Sequence, residues 1–283
     1  MNLIEKMQYD EERALYNATD CLIRECTFAG PADGESVLKE ARNIQVTNCS
    51  FSLRYPMWHV KGFTMEGTTM DEKTRAALWY SDDGNIVGCD LGGIKAVREC
   101  NRIRVENSRI VSSEFGWKSN EISIKDCSVE AEYLFLDSRN VSLERVNMKG
   151  KYSFQYMENL EITDSYLDTK DAFWHSKNVT VKDSIVKGEY LGWYSENLKF
   201  VRCKIIGTQP LCYCKGLVLE NCTMEETDLS FERSEVDADI KGKIDSVKNP
   251  LKGTIRADEI GELVVEPQYV NADDTVIECR RNG

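Results

Sequence analysis

The side chains best suited to acid–base chemistry recur at one spacing. Glu99, Asp137 and His175 follow one another at steps of twice nineteen residues. Two carboxyl groups are the minimum for glycoside hydrolysis, and a separation of about 6.5–9.5 Å suits the inverting mechanism. Histidine acts as an acid or a base near neutral pH. We therefore treat these three residues as candidate catalytic residues, although any charged row contains such pairs by chance.

Aromatic residues follow the same spacing at two adjacent positions. The tryptophans all occupy the first position: Trp58, Trp79, Trp117, Trp174 and Trp193. The second position holds both histidines and further candidates for ligand binding: His59, Lys118, Tyr156, His175, Tyr194 and Tyr213. A row of rings suits stacking on sugars. The plainer interpretation, that the rings stack across strands and stabilise the sheet, stays open beside it.

Both positions belong to a nineteen-residue repeat that covers most of the chain. We call the first residue of each repeat the anchor. The anchors are residues 20, 43, 62, 83, 102, 121, 140, 159, 178, 197 and 216, with small insertions only among the first four. The tryptophans lie four residues before an anchor, and we call this position the tryptophan row. The second position lies three residues before an anchor, and we call it the ladder row. It contains His59, Glu99, Lys118, Asp137, Tyr156, His175, Tyr194 and Tyr213. A fixed period of this length indicates a solenoid.

Apolar and polar residues alternate directly after each anchor, as at Ile103 and Val105. Period two predicts a strand with one buried face. Five residues after most anchors stands Asn, Asp or Gly, which tolerate a sharp corner, so a second strand is expected to follow. A third strand is expected to end just before the next anchor. Three short strands per 19-residue coil predict an all-β parallel β-helix of about eleven or more coils.

The repeat also sets the predicted domain organisation. One elongated domain covers residues 1–283, because stacked repeats grow as one array. Residues 1–12 lack the repeat and are predicted to cap the first coil. Residues 13–227 are the regular coils, and residues 228–283 are irregular C-terminal coils and a cap. Caps are expected because an exposed terminal strand would template aggregation.

The tryptophan row and the ladder row are adjacent, so they are expected to face opposite sides of a strand. One row would then face water and the other would face the core. The ladder row carries more charged residues, and an unpaired charge is costly to bury, so we favour the ladder row outside. An observation opposes this choice. The position two residues before the ladder row is apolar or glycine throughout, and it would share the face of the ladder row.

The net charge of the chain at pH 7 is −12. Nucleic acids and anionic membranes require a basic surface, so this charge disfavours both as partners. It also disfavours a polyanionic substrate. A neutral carbohydrate, another small molecule or polymer, and a protein remain as ligand classes. The oligomeric state stays open.

The chain has 11 cysteines, an odd number. Six lie at the position six residues after an anchor: Cys26, Cys49, Cys89, Cys127, Cys203 and Cys222. Their equivalence predicts stacked, reduced thiols that pack inside the coil as small apolar groups. Zinc-site spacing and cofactor motifs are absent, so no metal and no cofactor are predicted. Free thiols without a signal peptide or a transmembrane stretch favour the cytoplasm.

Several segments, together with the repeat, resemble one known family: Phe28–Ser36, Arg75–Trp79, Lys151–Tyr156, Asp168–Ser176, Gly188–Asn197 and Gly207–Leu211. This is a bacterial family of uncharacterised proteins, domain of unknown function 3737, among the pectate-lyase-like right-handed β-helices. The resemblance spans essentially the whole chain and implies a right-handed parallel β-helix. It implies no activity, so no catalytic residue carries over. The long loops that wall the clefts of pectate lyases are absent, which leaves a shallow, open face.

These observations lead to two functional hypotheses. The first is recognition of a carbohydrate, and with the candidate catalytic residues its processing, on the outer face of the third-strand sheet. The second is a non-enzymatic scaffold or protein-interaction solenoid whose aromatic row is purely structural.

Overall fold

The computed structural model describes residues 1–30 and 35–280. Residues 31–34, part of the segment Phe28–Ser36 that contributes to the family resemblance, lie outside the described residues. The contacts between Cα atoms divide the chain into two compact units, Met1–Asn147 and Met148–Gly283. The single domain expected over residues 1–283 stays a prediction.

The predicted fold class is confirmed, because the chain is an all-β parallel solenoid of about 14 turns. Strands of successive coils pair in parallel, and in the regular coils the register advances by one repeat, as for Ile103 with Ile122. No α-helix occurs in the described residues, and a short 3₁₀ helix spans Ala272–Asp274. No helix in that part of the chain is long and apolar enough to cross a membrane.

The strand at each anchor builds the first-strand sheet. Its strands in the first unit are Asn2–Glu5, Cys21–Arg24, Arg42–Thr47, Lys61–Glu66, Asp82–Val87, Asn101–Glu106, Asn120–Lys125 and Arg139–Glu144. Its strands in the second unit are Glu158–Thr163, Lys177–Lys182, Glu196–Val201, Leu217–Glu225, Glu235–Ile240, Lys252–Ala257 and Thr275–Cys279. Alternate side chains point inward, and the inward residues Ile103 and Val105 are fully buried, as the period-two pattern predicts.

A second strand follows the corner after each first strand in most coils. In the first unit these strands are Gln8–Tyr9, Thr27–Ala29, Ser50–Ser52, Thr69–Met70, Asp90–Leu91, Arg109–Val111 and Ser128–Glu132. The strand Asn147–Lys151 begins one residue before the unit boundary, and Tyr166–Lys170, Ile185–Lys187 and Lys204–Ile206 follow in the second unit. Near the C-terminus, Lys243–Lys248 and Glu259–Val264 form a separate two-stranded sheet.

The third segment of each coil differs from the expectation of a strand in every coil. Within residues 1–30 and 35–280, it forms two-residue strands in three coils: Met57–Trp58, Leu78–Trp79 and Val97–Arg98. In the coils that follow, this segment is mostly a turn. Every ladder-row residue from Glu40 to Tyr213 has a φ between 49° and 63°, in coils with and without a third strand. The turns have a second residue with positive φ two positions earlier, as at Phe135, Phe154 and Phe173, whereas Met57, Leu78 and Val97 of the three strands do not.

The other corners use the same conformation. The anchors have φ values between 50° and 68°, and the residues five positions later have values between 49° and 61°. Asn, Asp and Gly adopt this left-handed region easily, which explains their frequency at both positions. Arg102 and Glu121 adopt it as well, so the coil geometry overrides local preference at these two anchors.

The core consists of stacked layers of equivalent side chains. Phe28 packs on Phe51 with ring centroids 4.8 Å apart, and Phe154 packs on Phe173 at 5.2 Å. The position two residues before the ladder row is buried throughout, from Leu38 to Leu211. Each fully buried large apolar side chain contributes about 1.5–3 kcal/mol to stability. The fold is therefore held by contacts between neighbouring coils.

The cysteines lie where the repeat predicts them. All six at the corner position are buried and free, as are Cys100 and Cys214. Burial raises the pKa of the Cys100 and Cys214 thiols to about 12. Their thiols are therefore protonated, unreactive packing groups near neutral pH.

The N-terminal segment pairs with the coil that follows it. Asn2–Glu5 is parallel to Cys21–Arg24, and Gln8–Tyr9 pairs with Thr27 and Phe28, while the capping role expected for residues 1–12 stays a prediction. The segment is thus a coil in its own right. Its apolar residues are too few to show the repeat in the sequence, yet the backbone pairing does not depend on them.

Candidate functional site

The ladder row lies on the surface in both units. Its side chains range from half-buried to exposed, and Tyr156 and Tyr194 expose 56% and 47% of their area. The tryptophan row beside it is half-buried instead of fully buried. The expectation that only one of the two rows contacts water is therefore wrong. The positive φ of each ladder-row residue turns the chain at that point, so the alternation of an extended strand does not apply.

In the first unit, the ladder row begins with a carboxylate–imidazole pair. The Nδ1 atom of His59 lies 2.8 Å from Oε1 of Glu40, and this contact orients the ring. The His59 ring lies 5.4 Å from that of Tyr80 in the next coil. A carboxylate that fixes a histidine ring is an arrangement used for general bases. His59 is among the predicted binding residues. Its partner Glu40, nineteen residues earlier, was not predicted.

Glu99 lies in the next coil and is surrounded by donors. The indole Nε1 of Trp79 donates to its Oε2 at 3.4 Å, and the Nε of Arg98 lies 3.5 Å from its Oε1. Burial raises the pKa of Glu99, but hydrogen bonds from Tyr80 and Trp79 and the charge of Arg98 outweigh it, and the pKa is lowered. Glu99 is therefore ionised at neutral pH. It can serve as a base or an acceptor, and it is a poor general acid.

Lys118 and Asp137 complete the ladder row of the first unit. The backbone N–H of Glu99 donates to the carbonyl of Trp117, and that of Lys118 donates to the carbonyl of Leu136, so Glu99, Lys118 and Asp137 occupy successive coils. The Nζ of Lys118 lies 3.9 Å from Oδ2 of Asp137, and both side chains are exposed. The predicted pair of carboxylates thus has a lysine between its members.

In the second unit, the ladder row is a stack of parallel rings. Tyr156 and His175 are 5.0 Å apart with an interplanar angle of 10°, and His175 and Tyr194 are 5.2 Å apart at 9°. Tyr213 continues the stack 4.9 Å from Tyr194 at 13°. The rings cover the faces of one another, so the row presents ring edges, hydroxyl groups and imidazole nitrogen to solvent. His175, the third candidate catalytic residue, is part of this stack.

Two residues that extend the row beyond Tyr213, Glu232 and Lys248, were not predicted. The Tyr213 hydroxyl donates to Oε2 of Glu232 at 3.5 Å, and Nζ of Lys248 lies 3.1 Å from Oε1 of Glu232. Burial first and the charge of Glu232 second raise the pKa of Tyr213. Glu232 stands nineteen residues after Tyr213, so the spacing alone indicated it. The apolar pattern decays after Thr227, which hid the continuation.

The tryptophan row has a structural explanation in the first unit. Cations and rings stack along it: Lys39 over Trp58 at 3.9 Å, Trp58 on Trp79 at 5.1 Å, and Arg98 over Trp79 at 4.6 Å and over Trp117 at 5.2 Å. Lys95, outside the row, also lies over Trp117 at 4.2 Å. Each cation–π contact of this kind stabilises by about 0.5–2 kcal/mol. The charged members of the row, Lys39 and Arg98, are therefore accommodated over indole rings.

In the second unit, the tryptophan row satisfies backbone carbonyls. The Nε1 atoms of Trp174 and Trp193 donate to the carbonyls of Tyr190 and Gln209 at 2.6 and 2.9 Å. Gln155, at the same position, donates through Nε2 to the carbonyl of Asp171 at 2.9 Å. Each acceptor lies sixteen residues further along the chain. Gln155 and the two tryptophans make the same hydrogen bond to the backbone. We therefore infer that this row stabilises the corners of the coil.

No group of three or more histidine, cysteine or acidic side chains that could hold a metal ion occurs within residues 1–30 and 35–280. The ladder row itself presents an oriented imidazole, carboxylates, phenols and an ammonium group. These groups bind hydroxylated ligands well.

Comparisons with known proteins give low overall similarity. The surface adhesin PfbA of Streptococcus pneumoniae is 9% identical, with 85% of this chain and 77% of that chain covered and a TM-score of 0.36. The A-module of the mannuronan C-5 epimerase AlgE4 of Azotobacter vinelandii is 10% identical, with 99% and 85% covered and a TM-score of 0.31. At these TM-scores the likenesses carry no argument about ligand or activity.

HetL, a pentapeptide repeat protein of the cyanobacterium Nostoc sp. strain PCC 7120, is 10% identical over 82% of this chain and 89% of that chain, with a TM-score of 0.25. No curated protein matches the chain. A family model, in contrast, matches residues 2–278. The chain therefore belongs to the family described as "Protein of unknown function (DUF3737)".

Proposed function

We propose that the chain binds a neutral carbohydrate along the ladder row of the second unit and does not hydrolyse it. The observation that carries this proposal is the stack of Tyr156, His175, Tyr194 and Tyr213, with rings about 5 Å apart. The side chains of Tyr156, His175 and Tyr194 make no hydrogen bond within the described residues, so their polar atoms are available to a ligand.

The even spacing favours a ligand with a repeat of its own. Successive coils lie about 4.8 Å apart, which is close to the length of one sugar residue in an extended chain. Ring edges and hydroxyl groups at this interval suit the alternating polar and apolar edges of a glycan. A rigid sheet holds these groups in place, so little conformational entropy is lost on binding.

Binding is favoured over catalysis by the state of Glu99 and by the open surface. Glycoside hydrolysis requires one protonated carboxyl group, and the lowered pKa of Glu99 removes it from that role. The ladder row also lies on an open surface, which does not exclude water from a reacting bond. Processing would then require Asp137 as the acid, beside the ammonium group of Lys118.

Calorimetric titration with neutral oligosaccharides of one to six residues tests the proposal. Affinity should rise with length up to about four sugars, one for each ring of the stack, and then level off. Tyr156→Phe and Tyr194→Phe keep the ring stacking and remove a hydroxyl group. Each should weaken binding about three- to tenfold, as expected for one neutral hydrogen bond. Tyr166→Phe, at an exposed tyrosine of another sheet, should leave affinity unchanged.

The proposal fails if no neutral glycan binds, or if the Tyr166 control weakens binding as much as the ladder-row variants. Release of shorter sugars from the same panel would overturn the non-hydrolytic part. Loss of that release in Asp137→Asn would then identify the acid.

A scaffold remains the second candidate, and a specific observation favours it. The rings of the second unit cover the faces of one another, which stabilises neighbouring coils whether or not a ligand binds. If the chain is a scaffold, Tyr194→Ala should lower the midpoint temperature of unfolding. None of the glycans should then change that midpoint.

A further inference from the structure

The outer face of the first-strand sheet in the first unit contains a trough of about 500 Å³. Its floor consists of Asn85, Arg104, Ser123 and Ser142, one from each of four successive coils. Its rim includes the anchors Asp83, Arg102, Glu121 and Asn140. The volume lies within the range of small-molecule sites, about 300–1,000 Å³.

The rim side chains are used by the protein. Arg102 holds Asp83 through two hydrogen bonds of 2.6 and 3.1 Å. The side chain of Asn120 donates to Glu121 at 3.1 Å and accepts from Asn140 at 2.7 Å. The rim is thereby held in place. The charges of Asp83 and Arg102 compensate each other, and the Glu121 carboxylate accepts from a neutral amide.

The floor side chains differ from the rim in this respect. Within residues 1–30 and 35–280, the side chains of Asn85, Arg104, Ser123 and Ser142 make no hydrogen bond and no ion pair with the protein. They are partly or fully exposed and adjacent in register. A guanidinium group, an amide and two hydroxyl groups therefore line one continuous strip with their hydrogen-bonding capacity unused.

The charge of the strip selects its ligand. Guanidinium binds carboxylate and phosphate groups through paired, charge-assisted hydrogen bonds. Glu106 lies two residues from Arg104 on the same face of the strand, yet no ion pair joins them. The guanidinium thus retains its charge for a ligand, and the short side chains of Ser123 and Ser142 leave room for one beside it.

We propose that this trough binds a small hydroxylated molecule that carries one carboxylate or phosphate group. Arg104 binds the anionic group, and Asn85, Ser123 and Ser142 bind the hydroxyl groups. The site is on a different sheet from the ladder row, and it is independent of the carbohydrate binding proposed there.

Calorimetric titration of the full chain at low ionic strength tests the site with glucuronate, glucose 6-phosphate and glucose. One or both anions should bind, and the comparison of the two shows which anionic group is preferred. Glucose should bind at least tenfold more weakly in this trough. Arg104→Ala should weaken anion binding about ten- to hundredfold, because a charge-assisted pair is lost. Glu106→Gln should strengthen it several-fold by removing a like charge.

Arg109→Ala is the matched control, since Arg109 is an exposed arginine of the first unit that is already paired with Asp90. It should leave binding unchanged. Circular dichroism should show that each variant is folded. The proposal is overturned if neither anion binds, if Arg104→Ala binds as tightly as the parent chain, or if Arg109→Ala weakens binding equally.

Discussion

Gln155, Trp174 and Trp193 show what decides the role of a residue in this chain. The three side chains differ in size and polarity, but each donates an N–H group to the carbonyl of a corner sixteen residues later. A row of tryptophans on a sheet suggests sugar binding when only residue types are known. The hydrogen bonds show instead that the indole N–H is used to satisfy the backbone.

Trp58 provides a comparison, because its Nε1 atom is buried and has no hydrogen-bond partner. Trp174→Phe removes a donor and leaves the carbonyl of Tyr190 without this partner, at a cost of about 1–3 kcal/mol. Trp58→Phe removes an N–H group that has no partner and retains a ring for Lys39. We expect it to cost less than Trp174→Phe. Urea denaturation of the two variants measures the difference, and equal losses of stability would contradict the assigned role of the indole N–H.

Glu99 illustrates how neighbours change a carboxyl group that looks catalytic by its spacing. Trp79, Tyr80 and Arg98 surround it, and they lower its pKa against the effect of burial. Of these contacts, only that with Tyr80 follows from the nineteen-residue spacing of the ladder row, because Trp79 and Arg98 belong to the neighbouring row. A role as an ionised acceptor is the outcome of that packing.

The strands of each coil are separated by corners, where the backbone adopts a positive φ. The chain bends at residues with positive φ, and many of them are neither glycine nor asparagine. For such residues the left-handed conformation costs about 1–2 kcal/mol each. The repeated coil tolerates this cost because the corner residues stay hydrogen-bonded to the next coil, as from the Asp126 N–H to the carbonyl of Glu144.

Two exposed glutamates of the second unit test this account. Glu226 directly follows the strand Leu217–Glu225 and has a φ of 55°. Glu161 lies inside the strand Glu158–Thr163. Glu226→Gly should stabilise the chain by roughly 0.5–1 kcal/mol, since relief of strain exceeds the added entropy of the unfolded chain. Glu161→Gly should destabilise it by a similar amount. Thermal unfolding of both variants checks the opposite signs, and a loss of stability in both would refute the assignment of strain.

The whole molecule is held by layers of equivalent side chains, and its thiols belong to these layers. Ten of the eleven cysteines are buried, and Cys279 is half-buried. Burial raises the pKa of Cys212 to about 12 and that of Cys49 to about 11. Since the thiolate is the reactive form, these groups react only when the coils open.

A thiol reagent at pH 8 measures this property. The native chain should show one rapidly reacting thiol, that of Cys279, and urea should make all eleven available. Cys279→Ser should remove the rapid phase and leave the denatured count at ten. Several rapid phases in the native chain would mean that the coils open more readily than their packing indicates. The cytoplasmic location expected from these thiols stays a prediction.

The sequence by itself determined the coil, because a parallel solenoid repeats the same contacts in every turn and therefore repeats the same residue types. The spacing of Glu99, Lys118 and Asp137 was enough to place them in successive coils, and the corner position of Cys26 and its equivalents was enough to bury them. Both results depend only on the period and on apolar alternation.

Only the tertiary structure decided which way the ladder row faces and what its members contact. His59, Tyr156 and Phe154 adopt a left-handed backbone conformation that residues of these types rarely adopt. The local sequence therefore did not predict a turn at these positions. The pairs Glu40 with His59 and Glu232 with Tyr213 are nineteen residues apart, so the period makes them neighbours, and the tertiary structure shows that their side chains meet at 2.8 and 3.5 Å. A one-dimensional period fixes which residues are neighbours, whereas the direction of a side chain depends on backbone angles set by the packing of the whole coil.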